Sequence, residues 1–307
     1  MKHCRCAVVG AANIDIGGFP EAAVRLRDSN PGRVTLSAGG VGRNIACNLG
    51  RMGVETHLVT ALGDDAFADI IRGDCAKSGV ALDMACAFED AHSSAYLFIA
   101  NADGDMALAV NDMSICARLA PELLASRLDA MNAMDAVVLD ANLPGPTIAW
   151  LAERLTVPVL ADAVSAAKAP RLTRVLDRLS VVKPNALEAE VLTGIAVVDD
   201  NSALSAARKL VSMGARRAIV TLGARGVCCA DAEEAAILSG GPVRLVNATG
   251  AGDAFTAALA WALLNGMGLR DCARAGLAAA SIAVEAIETV SPALDEDKLL
   301  ERMKKIG

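Results

Sequence analysis

The chain has 307 residues, 54% of them hydrophobic, and its 29 Lys and Arg against 36 Asp and Glu leave a net charge of −7. So much apolar residue implies a large buried core, sized for one large α/β domain, and excludes a disordered chain. The acidic balance, with no basic block, excludes nucleic acid and anionic membrane as main partners, so a small charged substrate must be held by local basic groups and backbone N–H donors.

In chain order, the apolar run 6–10 is expected to be a first strand, not a signal peptide. Asn13 and Asp15 follow it. At i, i+2 in extended chain they point the same way, suited to gripping two neighbouring hydroxyls of a sugar, or else they form an Asx turn. Residues 14–19 and 33–37 form one strand-like pair. Next comes Gly39-Gly40-Val41-Gly42-Arg43-Asn44, which opens an amphipathic run. Three glycines in four positions imply close backbone approach or a plain turn before a helix. Arg43 and Asn44 favour binding, because a guanidinium and an amide recognise anions and hydroxyls. Neither a dinucleotide fingerprint nor a P-loop is present.

Strand-like runs at 57–61, 136–139, 157–160, 181–183 and 218–221 alternate with amphipathic stretches at 66–78, 121–131, 146–155 and 203–213. Such alternation predicts a parallel sheet with helices on both faces and ligands beyond the carboxyl ends of the strands. Residues 94–100 and 106–110, joined across Asp103-Gly104, predict a hairpin that breaks the alternation. With 14–37 it makes a small sheet, over roughly 14–37 and 93–112, covering a single unit that spans 1–307. Asp162 ends a strand, with Ser165 and Lys168 close behind it, facing either a pocket or solvent. Lys183-Pro184-Asn185 follows another strand, and Asn185 and Glu188 fit either a capping box or a shared ligand-binding helix face. Thr221-Leu-Gly223-Ala-Arg-Gly226 is a further strand-to-glycine turn able to pass close to a nucleotide.

The stretch Asn247-Ala-Thr249-Gly250-Ala251-Gly252-Asp253 runs into an apolar segment and is expected to be a loop opening a helix. Free N–H groups at such a helix start, with the positive end of its dipole, suit an anion such as phosphate. Asp253 is then either a helix cap or a base that takes a proton from an attacking hydroxyl. The longest apolar stretches, 254–264 and 275–287, are too short or too interrupted to span a bilayer. Nine scattered cysteines, with no Cys-x-x-Cys and no His at ligand spacing, point to a reduced cytoplasmic setting and away from a zinc site.

Together, Gly39 to Asn44, Asn185 with Glu188, Thr221 to Gly226 and Thr249 to Asp253, in that order, resemble the PfkB (ribokinase-like) family of sugar and nucleoside kinases over essentially the whole chain. The stretches 28–32, 39–46, 92–96, 111–113 and 162–165, with Lys168 and 247–249, most resemble the family's pseudouridine-phosphorylating branch. The resemblance implies a ribokinase-like three-layer α/β/α body with a mainly parallel sheet and a small β-sheet lid, often the surface of a homodimer. It implies that Asp253 is the base and that Gly250, Ala251 and Gly252 form an anion hole. Asn185 and Glu188 would organise Mg²⁺ through water, and Asn185, Thr221, Gly223, Gly226 and Thr249 would take ATP as co-substrate. Asn13, Asp15, Gly40, Arg43 and Asn44 would hold the sugar, with Asn30, Tyr96, Asn111, Asp112 and Lys168 completing the substrate site. With aromatics only 3% of the chain, the base is expected to be recognised by polar groups, Asp112 foremost. Asn247 departs from the Asp usual in the family, which helps hold a monovalent cation, and so leaves K⁺ an open alternative. Other acceptors (ribose, a fructose-type sugar, adenosine) and a non-catalytic nucleoside sensor are the rival functions.

Overall fold

A computed structural model describes residues 3–101 and 105–306. Its strands in chain order are β1 (Arg5–Val9), β2 (Asn13–Pro20), β3 (Gly32–Gly39), β4 (Glu55–Val59), β5 (Ala61–Gly63), β6 (Val80–Ala81), β7 (Cys86–Phe88), β8 (Ser94–Ala100), β9 (Met106–Asp112), β10 (Ala136–Asp140), β11 (Val159–Asp162), β12 (Val181–Lys183), β13 (Arg217–Thr221), β14 (Val227–Asp231) and β15 (Ala235–Leu238). Nine of them make one sheet in the order β15-β14-β13-β12-β11-β10-β1-β4-β6. All neighbours from β13 to β6 run parallel, and β13-β14-β15 is antiparallel.

The alternating side chains of these strands feed two separate apolar layers. Cys6 and Val8 of β1 face one, with Trp261, Phe255 and the helices Val41–Arg51, Ala251–Leu264 and Leu269–Val284. Ala7 and Val9 face the other, with Leu151 and Leu210 of the helices Gly145–Arg154 and Asp200–Ser212. A near-continuous apolar run is what a strand covered on both faces requires, and β10 is buried at all five positions. The longest apolar stretches of the sequence lie in the two helices packed together over this sheet, and among the described residues no helix is long and apolar enough to cross a membrane.

Several expected elements shift for local reasons. β11 starts at Val159, because Pro158 has no N–H to donate and only its carbonyl joins the ladder, accepting from Val137 N at 2.9 Å. The helix expected over 121–131 is broken into Pro121–Leu124, a 3₁₀ turn at Ala125–Arg127 and Leu128–Asn132. Antiparallel β14 and β15 were not anticipated, because they carry no helix between them to mark the alternation.

A separate four-stranded sheet, β3-β2-β8-β9, stands off the carboxyl edge. β2 leaves β1 through Gly10–Ala12, and β3 returns directly into the Val41–Arg51 helix. β8 and β9 pair antiparallel, whereas the expected Asp103-Gly104 turn falls outside the described residues. Entry into β8 is pinned: Asp65, the N-cap of the helix Ala66–Lys77, accepts from Ser93 N at 2.7 Å and from Ser93 Oγ at 2.8 Å.

Candidate active site

Gly250 caps the Ala251–Leu264 helix in the left-handed conformation (φ 83°), and a Cβ there would lie 2.1 Å from the Thr289 carbonyl oxygen, so only glycine fits. Gly252 follows in the first turn. Its N–H and that of Ala251 belong to the group left without helical partners at such a start. Asp253 is the third helical residue and makes no capping bond, which removes the helix-cap reading. It is half-buried, and its Oδ2 accepts from Asn44 Nδ2 at 2.7 Å. Withdrawal from water is the main reason its carboxyl is pushed up to about 7. The nearby Asp162 carboxylate adds to that rise, and the Asn44 bond and Lys183 oppose it.

Each glycine of the Gly39-Gly40-x-Gly42 run has its own steric reason. A Cβ on Gly39 would sit 2.3 Å from Asp15 Oδ2, one on Gly40 (φ 96°) 2.5 Å from the Ala11 carbonyl, and one on Gly42 2.8 Å from the Gly10 backbone. The run therefore lets the helix start press against the end of β1 and beside Asp15. Asn13 Nδ2 donates to Asp15 Oδ1 at 2.7 Å within β2, so the pair is strand, not Asx turn. Burial raises the Asp15 carboxyl above its ordinary value. Arg43 is turned inward: it donates to the Gly39 and Ala38 carbonyls and pairs with Asp74 Oδ2 at 2.6 Å. It braces the glycine run, and it also lines the cleft beside Asp15.

The register of the small sheet sets Ser37, Asp15, Tyr96 and Asn111 in one cross-strand row on one face. Phe98 and Phe19 share that face, with rings 5.7 Å apart edge to face, and Tyr96 lies 6.1 Å from Phe98. Three of the chain's eight aromatics gather here. Between this sheet and the body lies a cleft of about 1080 Å³, with Asp15, Phe19 and Phe98 on one wall and Asn247 and Thr249 on the other. Asp253 does not line this cleft; its Oδ2 is tied to Asn44, in the helix that follows the glycine run.

Asp112 and Asn30, expected at the base, both make local hydrogen bonds. Asp112 pairs with Ala95, so the register places it on the face opposite Asn111, and its Oδ1 accepts from Ser114 N at 3.0 Å. Both ends of the Asn30 amide are engaged inside its own loop, with Arg25 N, Arg25 O and Asp28 O. Lys168 Nζ donates to Asn142 Oδ1, beyond the end of β10.

Asn185 and Glu188 close a full capping box. Asn185 N donates to Glu188 Oε2 at 2.7 Å, and Glu188 N donates to Asn185 Oδ1 at 2.9 Å. A third bond, Asn185 Nδ2 to Glu188 Oε1 at 2.7 Å, leaves the carboxylate with further acceptor capacity. Asn185 also bridges to Thr221, whose N–H donates to the Pro184 carbonyl. Gly223 (φ 61°) has open space around its missing Cβ, as a site of ligand approach needs. The glycine at 226 is instead dictated by the Leu238 carbonyl, 2.0 Å from where a Cβ would be. Thr249 is exposed, with its N–H on Asn247 Oδ1 at 2.9 Å.

Asp140, Lys183 and Thr256 were missed from sequence, although a charged residue closing an otherwise apolar strand is a visible signal. Asp140 and Lys183 both do this, and all three are buried.

The chain matches the family model described as pfkB family carbohydrate kinase over residues 4–296. It is 33% identical to the pseudouridine kinase of Escherichia coli over 290 residues, 94% of this chain and 92% of that protein. Among solved structures it superposes on a carbohydrate kinase from Agrobacterium tumefaciens at a TM-score of 0.87, with 31% identity and 98% and 97% of the two chains covered. It likewise superposes on Arabidopsis thaliana ribokinase complexed with ribose and ATP at 0.88, with 25% identity and 99% of each chain covered. The body and small sheet are thus the ribokinase-like α/β fold, and the chain belongs to the pfkB family of carbohydrate kinases, ATP-using phosphotransferases with an alcohol as acceptor.

Proposed function

We propose that this kinase transfers the γ-phosphoryl group of Mg·ATP to the 5′-hydroxyl of pseudouridine. The observation that carries the chemistry is Asp253: a carboxylate of raised proton affinity, held by an amide and not by a cation, in the first turn of a glycine-started helix. A base working near neutral pH needs such a carboxylate. The acceptor's identity is supported by the 33% identity to a pseudouridine kinase across nearly the whole chain.

In the reaction, Asp253 takes the hydroxyl proton as the oxygen bonds to the γ-phosphorus. The bond from phosphorus to the β–γ bridging oxygen breaks, and ADP leaves. The N–H groups at Gly250, Ala251 and Gly252 face the charge that develops on the transferred group, and this electrostatic contribution is the main one the protein makes. Asn13 and Asp15 grip the sugar hydroxyls. Asn44 Oδ1, buried and without a partner among the described residues, is an acceptor for another. Asn185, Thr221, Gly223 and Thr249 take the nucleotide. Tyr96, Phe98 and Asn111 face the base, so apolar contact joins polar recognition there.

No group of three His, Cys, Asp or Glu side chains able to hold a metal exists among the described residues. The remaining oxygen acceptors of Glu188 and Asn185 fit a hard ion that arrives with the nucleotide and keeps its waters, as Mg²⁺ does. Bound there, Mg²⁺ neutralises charge on the phosphate oxygens. A K⁺ site is disfavoured. Asn247 Nδ2 donates to the Ile287 carbonyl at 2.9 Å, and a neutral amide there brings no negative charge to hold a cation.

The working enzyme is proposed to be a cytoplasmic homodimer joined through the small sheet as a lid. On the face away from Asp15, the register lines up Val34, Leu36, Leu97, Leu108 and Val110, all exposed. An apolar sheet face of this kind on an otherwise charged surface fits a second copy of itself.

The deciding experiment presents Mg·ATP with pseudouridine, uridine, adenosine, ribose and fructose and identifies products by mass. Pseudouridine is expected to lead in kcat/KM by roughly tenfold or more. A lead by ribose or adenosine overturns the acceptor, and ATP consumption with none of them overturns the reading altogether.

A further inference from the structure

Beneath the Gly250–Gly252 turn lies a line of charge that the phosphoryl transfer described above does not use. Parallel register sets Asp140 beside Asp162 and Asp162 beside Lys183, so the last residues of β10, β11 and β12 form one row across the carboxyl edge. All three are buried. Lys183 Nζ lies 2.9 Å from Asp162 Oδ2 and 3.4 Å from the Gly252 carbonyl oxygen. Thr256 Oγ1 lies 2.5 Å from the same Asp162 oxygen and 3.1 Å from the same carbonyl. Thr256 is three residues beyond Asp253 on one helix. The two partners of Asp162 Oδ2 thus both reach the turn that carries the base, while its Oδ1 accepts from Val164 N at 2.9 Å. Asp140 is committed elsewhere, with its oxygens accepting from Ala11 N and Asn142 N at 2.8 Å each.

We propose that Asp162 is a positioning residue for Asp253: gripping Thr256 and Lys183, it fixes the first turn of the helix and sets the field in which the base works. A buried ion pair is weak evidence for stability, since desolvation offsets its attraction, and this one lies against a functional turn. The charges facing Asp253 come from every packed element. Asp162 on β11 and Asp140 on β10 hold its proton on, while Lys183 on β12 and the Asn44 amide on the Val41–Arg51 helix favour its loss. Burial, the largest single influence, works against the Lys183 ammonium, but the Asp162 carboxylate together with Glu188 and Asp253 outweighs it and keeps the lysine charged.

The inference rests on the kinase reading for its kinetic arm only. The first measurement is a pH titration of the Asp253 carboxyl carbon by ¹³C NMR on the full-length protein without ligands, assigned with Asp253→Asn. Asp162→Asn is expected to lower the midpoint by roughly one unit, and Lys183→Met to raise it by less, because the Asp162 charge is the larger influence on Asp253. A purely structural pair would not move the midpoint in opposite directions, so unmoved midpoints, or shifts of one sign, overturn the proposal. Should the single variants fail to fold, the Asp162→Asn, Lys183→Met double variant leaves the net charge unchanged. A smaller downward shift is expected there, and a midpoint equal to wild type overturns the proposal. With Mg·ATP and pseudouridine, Asp162→Asn is expected to lose roughly 10–10²-fold in kcat with KM unchanged. An unchanged kcat, or a loss confined to KM, overturns the positioning role. A wild-type protein that phosphorylates nothing ends the kinase reading, while the NMR titration still tests this one.

Discussion

Asp253 binds its proton more tightly than a solvated aspartate because burial removes water from the charged form, and Asp162 adds a like charge nearby. Two consequences follow at the scale of the residue. First, kcat is expected to fall as pH drops below about 7, as the base becomes protonated. A pH–rate profile flat from pH 5 to 8 would show that another group takes the proton. Second, the folded protein holds a proton here that the unfolded chain has released between the unfolded aspartate value, roughly 4, and about 7. The stability this group contributes is therefore present at low pH and is lost as pH rises through about 7. Asp253→Asn is expected to lower turnover on the order of 10²–10⁴-fold. It is also expected to raise Tm by a few degrees at pH 8 and by less at pH 5, as measured by thermal melts. At Asn247, turnover is expected to be equal in potassium and choline chloride, whereas Asn247→Asp is expected to make it respond to potassium. The glycines and carboxylate of this turn are legible in sequence because each type has few other uses in that pattern. The partners that Arg43 and Asp112 take up are not, because sequence spacing does not say which way a guanidinium or a strand-end carboxylate faces.

Among the elements, helix-on-helix contact over the sheet depends on small residues. Gly276 in the Leu269–Val284 helix lies under the Phe255 ring, where a Cβ would come within 2.4 Å. Gly276→Ala is expected to destabilise by about 1–3 kcal/mol through overpacking, read from denaturant midpoints, with kcat/KM nearly unchanged. Gly40→Ala meets backbone on one side and a strained φ on the other, so it is expected to raise KM for the nucleoside as the helix start moves away from Asp15. The parallel strands are legible because both faces are covered and the runs are wholly apolar. β14 and β15 pass unnoticed because their short segments follow one another without a helix. The broken helix at 121–132 escaped because local 3₁₀ bonding leaves the apolar spacing unchanged.

For the molecule as a whole, strand–helix alternation dictates one sheet between two apolar layers, and that much follows from sequence periodicity alone. How the small sheet stands against the body does not, since it depends on contacts between residues far apart, such as Ser93 with Asp65. Its outward apolar face is expected to join two copies. Leu97→Asp with Val110→Lys is expected to convert a dimer to a monomer in light scattering. A wild-type monomer at the same concentration would remove that role from the face.

The chain visits the small sheet twice, once through β2 and β3 and once through β8 and β9. Asn13 and Asp15, the proposed sugar contacts, arrive on the first visit, and Tyr96, Phe98 and Asn111 on the second. That second visit begins at Ser93, moored to Asp65, and closes where Asp112 takes up Ser114 N. On the proposed reading, base preference is carried on a cassette with two fixed ends, separate from the segments that bring the ribose grip and the phosphoryl chemistry. Exchanging that cassette between relatives is a route to a new nucleoside preference with the rest of the machinery left in place.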